Sequence, residues 1–355
     1  MMAKRPLLAL SSHLTPEAMR SFLVILAVLC LSAATPAFAV DVGDEAPLPV
    51  QDETARKELP DYPVGSRISL GTANTYETQE EDTFLDIARH FSLGYVELRT
   101  ANPGVDPWSP APGTELLIPA FQLLPRAKQK GIVVNLGKMR LYYFKDAGKP
   151  PLSYPIGIGR EGLQTPTGET TVARKSAKPT WFPTERMRKE KPWLPESVPA
   201  GAANPLGAYA LYLGWPTFLI HGSNKPWGIG RRVSSGCMRM YPEDIAEMFG
   251  KVPVGTPVTV VDQPVLIGWV EDTLYLEANP TQVQSSEIEG GDLETLRPLT
   301  DDIKQEILKT AGTAAGKIDW RAAERALRER RGYPVAIAGA RRSSASARPA
   351  ASLNN

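Results

Sequence analysis

The chain has 355 residues, and its 40 lysines and arginines nearly balance its 39 aspartates and glutamates, which gives a formal net charge of +1 at pH 7. That length allows about two or three small domains with a sizeable core. The near-neutral charge and a 42% hydrophobic content are typical of globular proteins, and they give no support to nucleic-acid binding or to a polybasic membrane-binding segment.

Residues 1–39 have the pattern of a secretory signal peptide. A basic residue precedes the apolar run Ser21–Ala34, and Ala37-Phe38-Ala39 is a small-x-small cleavage site. The run is shorter than the roughly 20 residues that span a bilayer. The alternative is a retained single-pass anchor, whereas the residues before Cys30 do not fit a lipidated cysteine. The pattern predicts export.

Export would leave a single cysteine, Cys237, and the histidines His90 and His221. A lone cysteine in an exported protein cannot form an internal disulfide, so its thiol is either free and reactive or buried and inert. Two histidines and one cysteine fall short of the four ligands of a structural zinc site, so no such site is expected.

After an acidic, proline-containing lead-in (residues 40–71), residues 72–121 are predicted to form a unit of strand, helix, helix and strand. Apolar residues recur at helical spacing at Phe84, Ile87, Ala88 and Phe91. With DTFLDIARHF, ANPGV and GTELLIP in this order, the unit resembles the LysM domain. The resemblance implies binding to N-acetylglucosamine-containing polymers such as peptidoglycan, and the alternative is a spacer without glycan affinity. His90 is expected to be a surface or packing residue.

Residues 131–262 have the pattern of a mainly β, sandwich-like domain. Two β-patterned runs around a glycine turn predict a hairpin, and Ser153–Gly159 is predicted to be a further strand. A proline-rich loop of residues 178–204 interrupts the domain. A loop of this length is either functional, as a lid or substrate wall, or an ordered decoration. A helix is predicted to begin near Tyr241.

His221 and Cys237 enclose a glycine-rich segment that can fold back and bring an imidazole to a thiol. A thiol with a pKa of about 8.5 is mostly protonated at neutral pH, and an imidazole that takes its proton makes it a nucleophile. Gly236 permits close approach, and N–H groups at the cysteine turn can hold an oxyanion. We expect the two side chains to lie within hydrogen-bond reach.

The stretch Ser234-Ser235-Gly236-Cys237-Met238-Arg239, with His221-Gly222 upstream and Asp244 downstream, resembles the signature of the YkuD-type L,D-transpeptidase catalytic domain. Further landmarks match at Arg160-Glu161-Gly162, Thr165-Pro166-Thr167-Gly168, Pro179-Thr180-Trp181 and Asn204-Pro205-Leu206-Gly207. One departure is Ser235, where many members have histidine, and it leaves the role of this side chain open.

The resemblance implies attack of the thiol on peptidoglycan stem peptides, at the amide between meso-diaminopimelate and D-alanine. D-alanine leaves, and an amine resolves the thioester. No metal or organic cofactor is implied. The implied roles are nucleophile for Cys237, proton donor and acceptor for His221, support or oxyanion binding for Ser234, Ser235 and Gly236, and substrate binding for Gly222 and Arg239. For Arg239, the alternative to a carboxylate contact is a surface salt bridge.

Residues 263–335 are predicted to be a β and helical extension, and residues 336–355 a disordered tail rich in Ser, Ala and Arg. The LysM-like unit and this extension resemble the periplasmic, lipoprotein-anchoring branch. The predicted partners are therefore stem peptides, glycan strands and a lysine of an outer-membrane lipoprotein. A second diaminopimelate and water are the alternative acceptors, the latter making the protein a hydrolase. An alternative of another class is a non-catalytic wall-binding protein with an inert Cys237.

Overall fold

The computed structural model describes residues 74–146, 149–290 and 298–339. The predicted signal peptide and lead-in lie outside the described residues. Within the described ranges, no helix combines the length and apolar character that a membrane crossing requires.

The first described unit consists of β1 (Asn74–Glu77), α1 (Phe84–His90), α2 (Tyr95–Ala101) and β2 (Glu115–Ile118). The two strands pair antiparallel. Thr83 caps α1 by accepting a hydrogen bond from the Asp86 N–H. Phe84 and Ile87 are fully buried, so the predicted helical spacing of apolar residues marks the core face of α1. The order of elements is the predicted one.

Most of the described strands belong to the following domain. They are β3 (Gly131–Asn135), β4 (Arg140–Phe144), β5 (Leu152–Pro155), β6 (Ile158–Gly159), β7 (Gly168–Ala177), β8 (Tyr209–Leu213), β9 (Leu219–His221), β10 (Arg232–Ser234), β11 (Met238–Arg239) and β12 (Pro257–Val261). Its helices are α3 (Glu185–Glu190), α4 (Pro242–Lys251) and a 3₁₀ turn over Pro226–Gly228.

These strands form one mixed eight-stranded sheet of order β11-β9-β8-β7-β12-β3-β4-β5 and a parallel two-stranded sheet of β6 and β10. The mainly β prediction is confirmed, and β3 and β4 form the predicted hairpin. The single strand predicted over Ser153–Gly159 is wrong. The structure has two strands there. β5 pairs with β4 only as far as Pro155, and Gly157 then pairs with Arg239, so that β6 joins the two-stranded sheet instead.

The predicted long loop is held by its own hydrogen bonds and contains α3. Trp181 and Val198 face each other across it and exchange two backbone hydrogen bonds of 2.8 Å. Asn204 is completely buried, and its Nδ2 donates to three carbonyl oxygens, those of Pro179, Val198 and Pro199. One buried amide thus ties both ends of the loop together.

The C-terminal extension consists of β13 (Val265–Val270), β14 (Thr273–Ala278), α5 (Gln282–Glu289), α6 (Asp301–Ala311), a 3₁₀ helix over Gly312–Lys317, α7 (Trp320–Glu329) and β15 (Pro334–Gly339). Its three strands form an antiparallel sheet, β13-β14-β15. The prediction of a tail from residue 336 is wrong for residues 336–339, because β15 buries Ile337 in the core of the extension. Residues 340–355 lie outside the described residues.

A buried ion pair joins this extension to the β3–β4 turn. Lys138 donates to Glu277, and both side chains are fully inaccessible to solvent. Glu277 also accepts from the Leu123 N–H at 2.7 Å and from Asn279 Nδ2 at 2.9 Å, so the buried carboxylate is well satisfied. Removing one partner of such a pair typically costs about 3–5 kcal/mol. The pair therefore fixes the extension to the sheet.

Candidate active site

The pairing of two short strands brings the predicted site residues together. β9 and β11 are parallel neighbours, with Met238 opposite Ile220 and Arg239 opposite His221. Paired residues of neighbouring strands share a face, so His221 and Arg239 project from the same face, and Cys237 lies two residues before Arg239. The glycine-rich segment between the histidine and the cysteine therefore folds back and returns to the strand from which it started.

Cys237 is half-buried immediately before β11, and its Sγ donates a hydrogen bond to the Thr217 carbonyl at 3.4 Å. Burial raises the pKa of the thiol above its ordinary value. The backbone N–H of Leu219 and the positive charge of Arg239 act in the opposite direction but do not outweigh burial. The thiol is therefore protonated at neutral pH.

His221 is buried, and its Nδ1 lies 2.6 Å from the Gly222 carbonyl oxygen. A carbonyl can only accept, so Nδ1 carries the proton and Nε2 is left as the acceptor. Burial and, next, the charge of Arg239 lower the pKa of His221 to about 3, against the hydrogen bond to Gly222, which raises it. The imidazole is thus neutral at neutral pH and able to take a proton.

The expected hydrogen bond between the two side chains is not formed. Among the described residues, the thiol of Cys237 bonds to Thr217 and no hydrogen bond joins it to His221. Two neutral groups attract each other weakly, and the Thr217 carbonyl competes for the thiol proton. Catalytic hydrogen bonds are often long in a free enzyme and shorten when substrate binds.

The turn that presents the cysteine, residues 234–237 (the cysteine turn), is closed by a buried hydroxyl. Ser234 Oγ donates to the Cys237 carbonyl at 2.5 Å and accepts from the Gly236 N–H at 3.2 Å. Gly236 has a φ of +110°, which disfavours any side chain, and a Cβ there would lie 3.0 Å from the Phe218 ring. Ser235, the next residue in the turn, is half-buried.

Thr165 was not among the predicted site residues. It is buried, and its Oγ1 donates to the Gly236 carbonyl at 2.8 Å and accepts from the Gly159 N–H at 3.1 Å. The cysteine turn is therefore held from outside as well as by Ser234. The sequence Thr165-Pro166-Thr167-Gly168 is a landmark of the family that the chain resembles, but the spacing of residues does not predict which group the Thr165 hydroxyl bonds to.

The other predicted residues have definite places. Gly222 is buried, its carbonyl orients the imidazole, and a Cβ there would lie 3.1 Å from Ile245. Arg239 exchanges two 2.9 Å backbone hydrogen bonds with Gly157, and its charge acts on both His221 and Cys237. His90 packs edge-on against the Phe91 ring. In the described part of the chain, no three His, Cys, Asp or Glu side chains are grouped as metal ligands would be.

We expect the rate of Cys237 alkylation by iodoacetamide to rise with pH, with an apparent pKa above the value of about 8.5 for a free thiol. Burial disfavours the thiolate, and a His221 whose pKa is about 3 supplies no imidazolium to stabilise it. Mass spectrometry of the reaction between about pH 5 and 10 measures the rate, with Cys237→Ala as the blank. A rate that stays flat across the acidic half of this range would reveal a thiolate–imidazolium pair and contradict the expectation.

Comparison with known proteins identifies a family model and relatives that match this chain. Residues 129–260 match the family model YkuD, the L,D-transpeptidase catalytic domain. The chain is 41% identical over 260 residues to the probable L,D-transpeptidase YbiS of Escherichia coli K12, covering 70% of this chain and 81% of the relative. It is 39% identical over 297 residues to the probable L,D-transpeptidase ErfK/SrfK of the same strain, covering 79% and 90%.

Proposed function

This chain belongs to the family of YkuD-type L,D-transpeptidases, and we propose that Cys237 is its catalytic nucleophile and His221 its proton donor and acceptor. The observation that carries this proposal is a thiol and a neutral imidazole, with Nε2 left to accept, that both lie within the field of one cation, Arg239. A thiol and a base placed in this way are the requirements for nucleophilic attack on an amide.

The proposed donor is a peptidoglycan stem tetrapeptide, cleaved between meso-diaminopimelate and D-alanine. The thiol proton passes to Nε2 of His221 while Sγ bonds to the carbonyl carbon. The amide C–N bond then breaks, His221 returns the proton to the departing amine, and D-alanine leaves a thioester on Cys237. An amine acceptor attacks the thioester, and the reverse proton transfers restore the thiol.

Proton transfer and attack are coupled in this mechanism. A raised thiol pKa and an imidazole pKa lowered to about 3 make a resting thiolate–imidazolium pair unfavourable. The proton therefore moves only as the S–C bond forms and the charge passes to the carbonyl oxygen. Ser234 Oγ already engages the Gly236 N–H, so Ser235 and Cys237 N–H are the proposed donors to that oxygen. The guanidinium of Arg239 is proposed to bind a stem carboxylate.

The proposed acceptor is the ε-amine of a lipoprotein lysine, and the proposed location is the periplasm, reached by means of the N-terminal signal peptide. The βααβ unit is proposed to bind glycan strands as a LysM-like domain. Support for a saccharide contact comes from Trp108, which is 57% exposed and stacks on Tyr95 at 6.0 Å. Exposed aromatic faces flanked by polar groups suit such ligands.

Intact-mass spectrometry of the mature protein mixed with a disaccharide-tetrapeptide tests this function. We expect an adduct equal to the donor minus D-alanine, and its transfer to an added peptide that ends in lysine. Transfer to a diaminopimelate peptide instead would identify a cross-linking enzyme, and release to water a carboxypeptidase. No adduct and no free D-alanine with any acceptor would overturn the catalytic proposal and favour a wall-binding protein.

A further inference from the structure

The βααβ unit meets the main domain through two glycines in direct backbone contact. A Cβ on Gly94 would lie 2.6 Å from Gly230 Cα, and a Cβ on Gly230 would lie 2.2 Å from Gly94 Cα. The first N–H groups of α2 donate across the same contact. Tyr95 N–H bonds to the Ile229 carbonyl and Val96 N–H to the Gly230 carbonyl, both at 3.2 Å. The main domain therefore supplies the acceptors that the first turn of this helix lacks.

A buried ion pair fixes the same junction. Glu97 of α2 accepts from Arg140 of β4 at 2.8 Å, and each side chain is 5% exposed. The carboxylate also accepts from the Gly94 N–H at 3.1 Å, and Arg140 donates further to the Ser92 carbonyl at 3.2 Å. A flexibly tethered module would need no buried charges at its boundary, because such groups are stable only when their geometry is fixed.

Backbone hydrogen bonds continue from this junction to the cysteine turn. Gly230 N–H donates to the Ile156 carbonyl at 3.2 Å, and Ile158 N–H donates to the Arg231 carbonyl at 3.0 Å. Two residues after Ile158, and beyond a register shift in β10, Arg160 N–H donates to the Ser234 carbonyl at 2.9 Å. Since Ser234 Oγ donates to the Cys237 carbonyl, a continuous series of hydrogen bonds links residue 230 to the turn that carries the cysteine.

We propose that the βααβ unit positions the cysteine turn of the catalytic domain, and that Gly94 is a positioning residue for the reaction at Cys237. This inference rests on the proposed function only in taking Cys237 as the nucleophile. It assigns the unit a role in the chemical step that is separate from any affinity for glycan. The contact needs glycine on both sides, because either Cβ would overlap backbone atoms that cannot rotate away.

Gly94→Ala is the sharpest test of this coupling. The backbone at this residue has φ −84° and ψ 153°, which alanine adopts without strain, so the substitution changes only the contact with Gly230. We expect kcat for acylation to fall by about tenfold or more with KM within about twofold, because small displacements of a nucleophile have large effects. The pH profile of Cys237 alkylation should shift as well.

Gly250→Ala is the matched control, because a Cβ there meets nothing within 4 Å. It should leave kcat, KM and the alkylation profile unchanged. Both variants are first shown to be folded by their thermal melting. A folded Gly94→Ala with the kcat and alkylation profile of the control would overturn the inference. If the wild type forms no acyl adduct, the proposed function fails, whereas the alkylation comparison still reports on the coupling.

A second pair of variants keeps the inference testable if Gly94→Ala does not fold. Tyr95→Pro and Tyr95→Ala both remove the ring, but only proline removes the N–H that bonds to the Ile229 carbonyl. Proline fits the first position of a helix, and the extended ψ of Gly94 suits a following proline. We expect kcat for Tyr95→Pro to be about threefold or more below that for Tyr95→Ala. Equal values would contradict the inference.

Discussion

Cys237→Ala is expected to abolish the acyl adduct and to lower kcat for D-alanine release by on the order of 10⁴-fold or more, as the loss of a nucleophile does in other acyl-transfer enzymes. The chain has two cysteines, and the other lies in the predicted signal peptide, so no second thiol is expected to take over. The measurement is the rate of D-alanine release together with intact mass. A persisting adduct would refute Cys237 as the nucleophile.

Cys237→Ser separates nucleophilicity from shape. The hydroxyl preserves the size of the side chain and the donor to the Thr217 carbonyl, but it is far less acidic than the thiol. An imidazole whose pKa is about 3 is a weak base for such a group, so the serine variant should be nearly as inactive as the alanine variant. Activity close to wild type in the serine variant would mean that proton removal does not limit the reaction.

The sequence predicted those parts of the fold that depend on local pattern. The hairpin of β3 and β4 follows from two apolar runs separated by a glycine turn, and each of their residues is buried. Helix α4 follows from Pro242 at its first position and acidic residues in its first turn. β15 was not predicted, because small residues beside a Ser- and Arg-rich tail carry little apolar signal although Ile337 is 1% exposed.

Contacts between distant segments were not predictable in the same way. The sequence indicated that Cys237 and His221 can meet, but the arrangement that places Arg239 opposite His221, just after the cysteine turn, follows from the parallel pairing of β9 with β11. The hydroxyl of Thr165 donates to the carbonyl of Gly236, 71 residues along the chain. Glycine at position 94 has a φ that any residue adopts, so its backbone conformation does not explain why the residue is glycine. Only the approach of Gly230 explains why no side chain fits there.

His221→Asn is expected to lower kcat by about 10²–10⁴-fold, the usual contribution of a general acid–base residue. The asparagine Nδ2 can keep the hydrogen bond to the Gly222 carbonyl that Nδ1 makes, so the variant loses the base but little of the packing. His90→Gln is the control, because that histidine belongs to α1 and packs on Phe91, and its kcat should stay within about twofold. An equal loss of kcat in both variants would point to a general effect on folding.

The stability of the same variant gives an independent check on the state of the imidazole. Since the pKa of His221 falls from 6.5 to about 3 on folding, the native state binds fewer protons than the unfolded state between these values. The neutral imidazole therefore stabilises the fold above about pH 6.5, and this stabilisation is lost as the pH falls towards 3, by up to about 1.4 kcal/mol per pH unit. Urea unfolding of wild type and His221→Asn over this range should show a steeper acid loss for the wild type. Parallel curves would mean that the buried imidazole titrates normally, and the neutral resting pair would have to be abandoned.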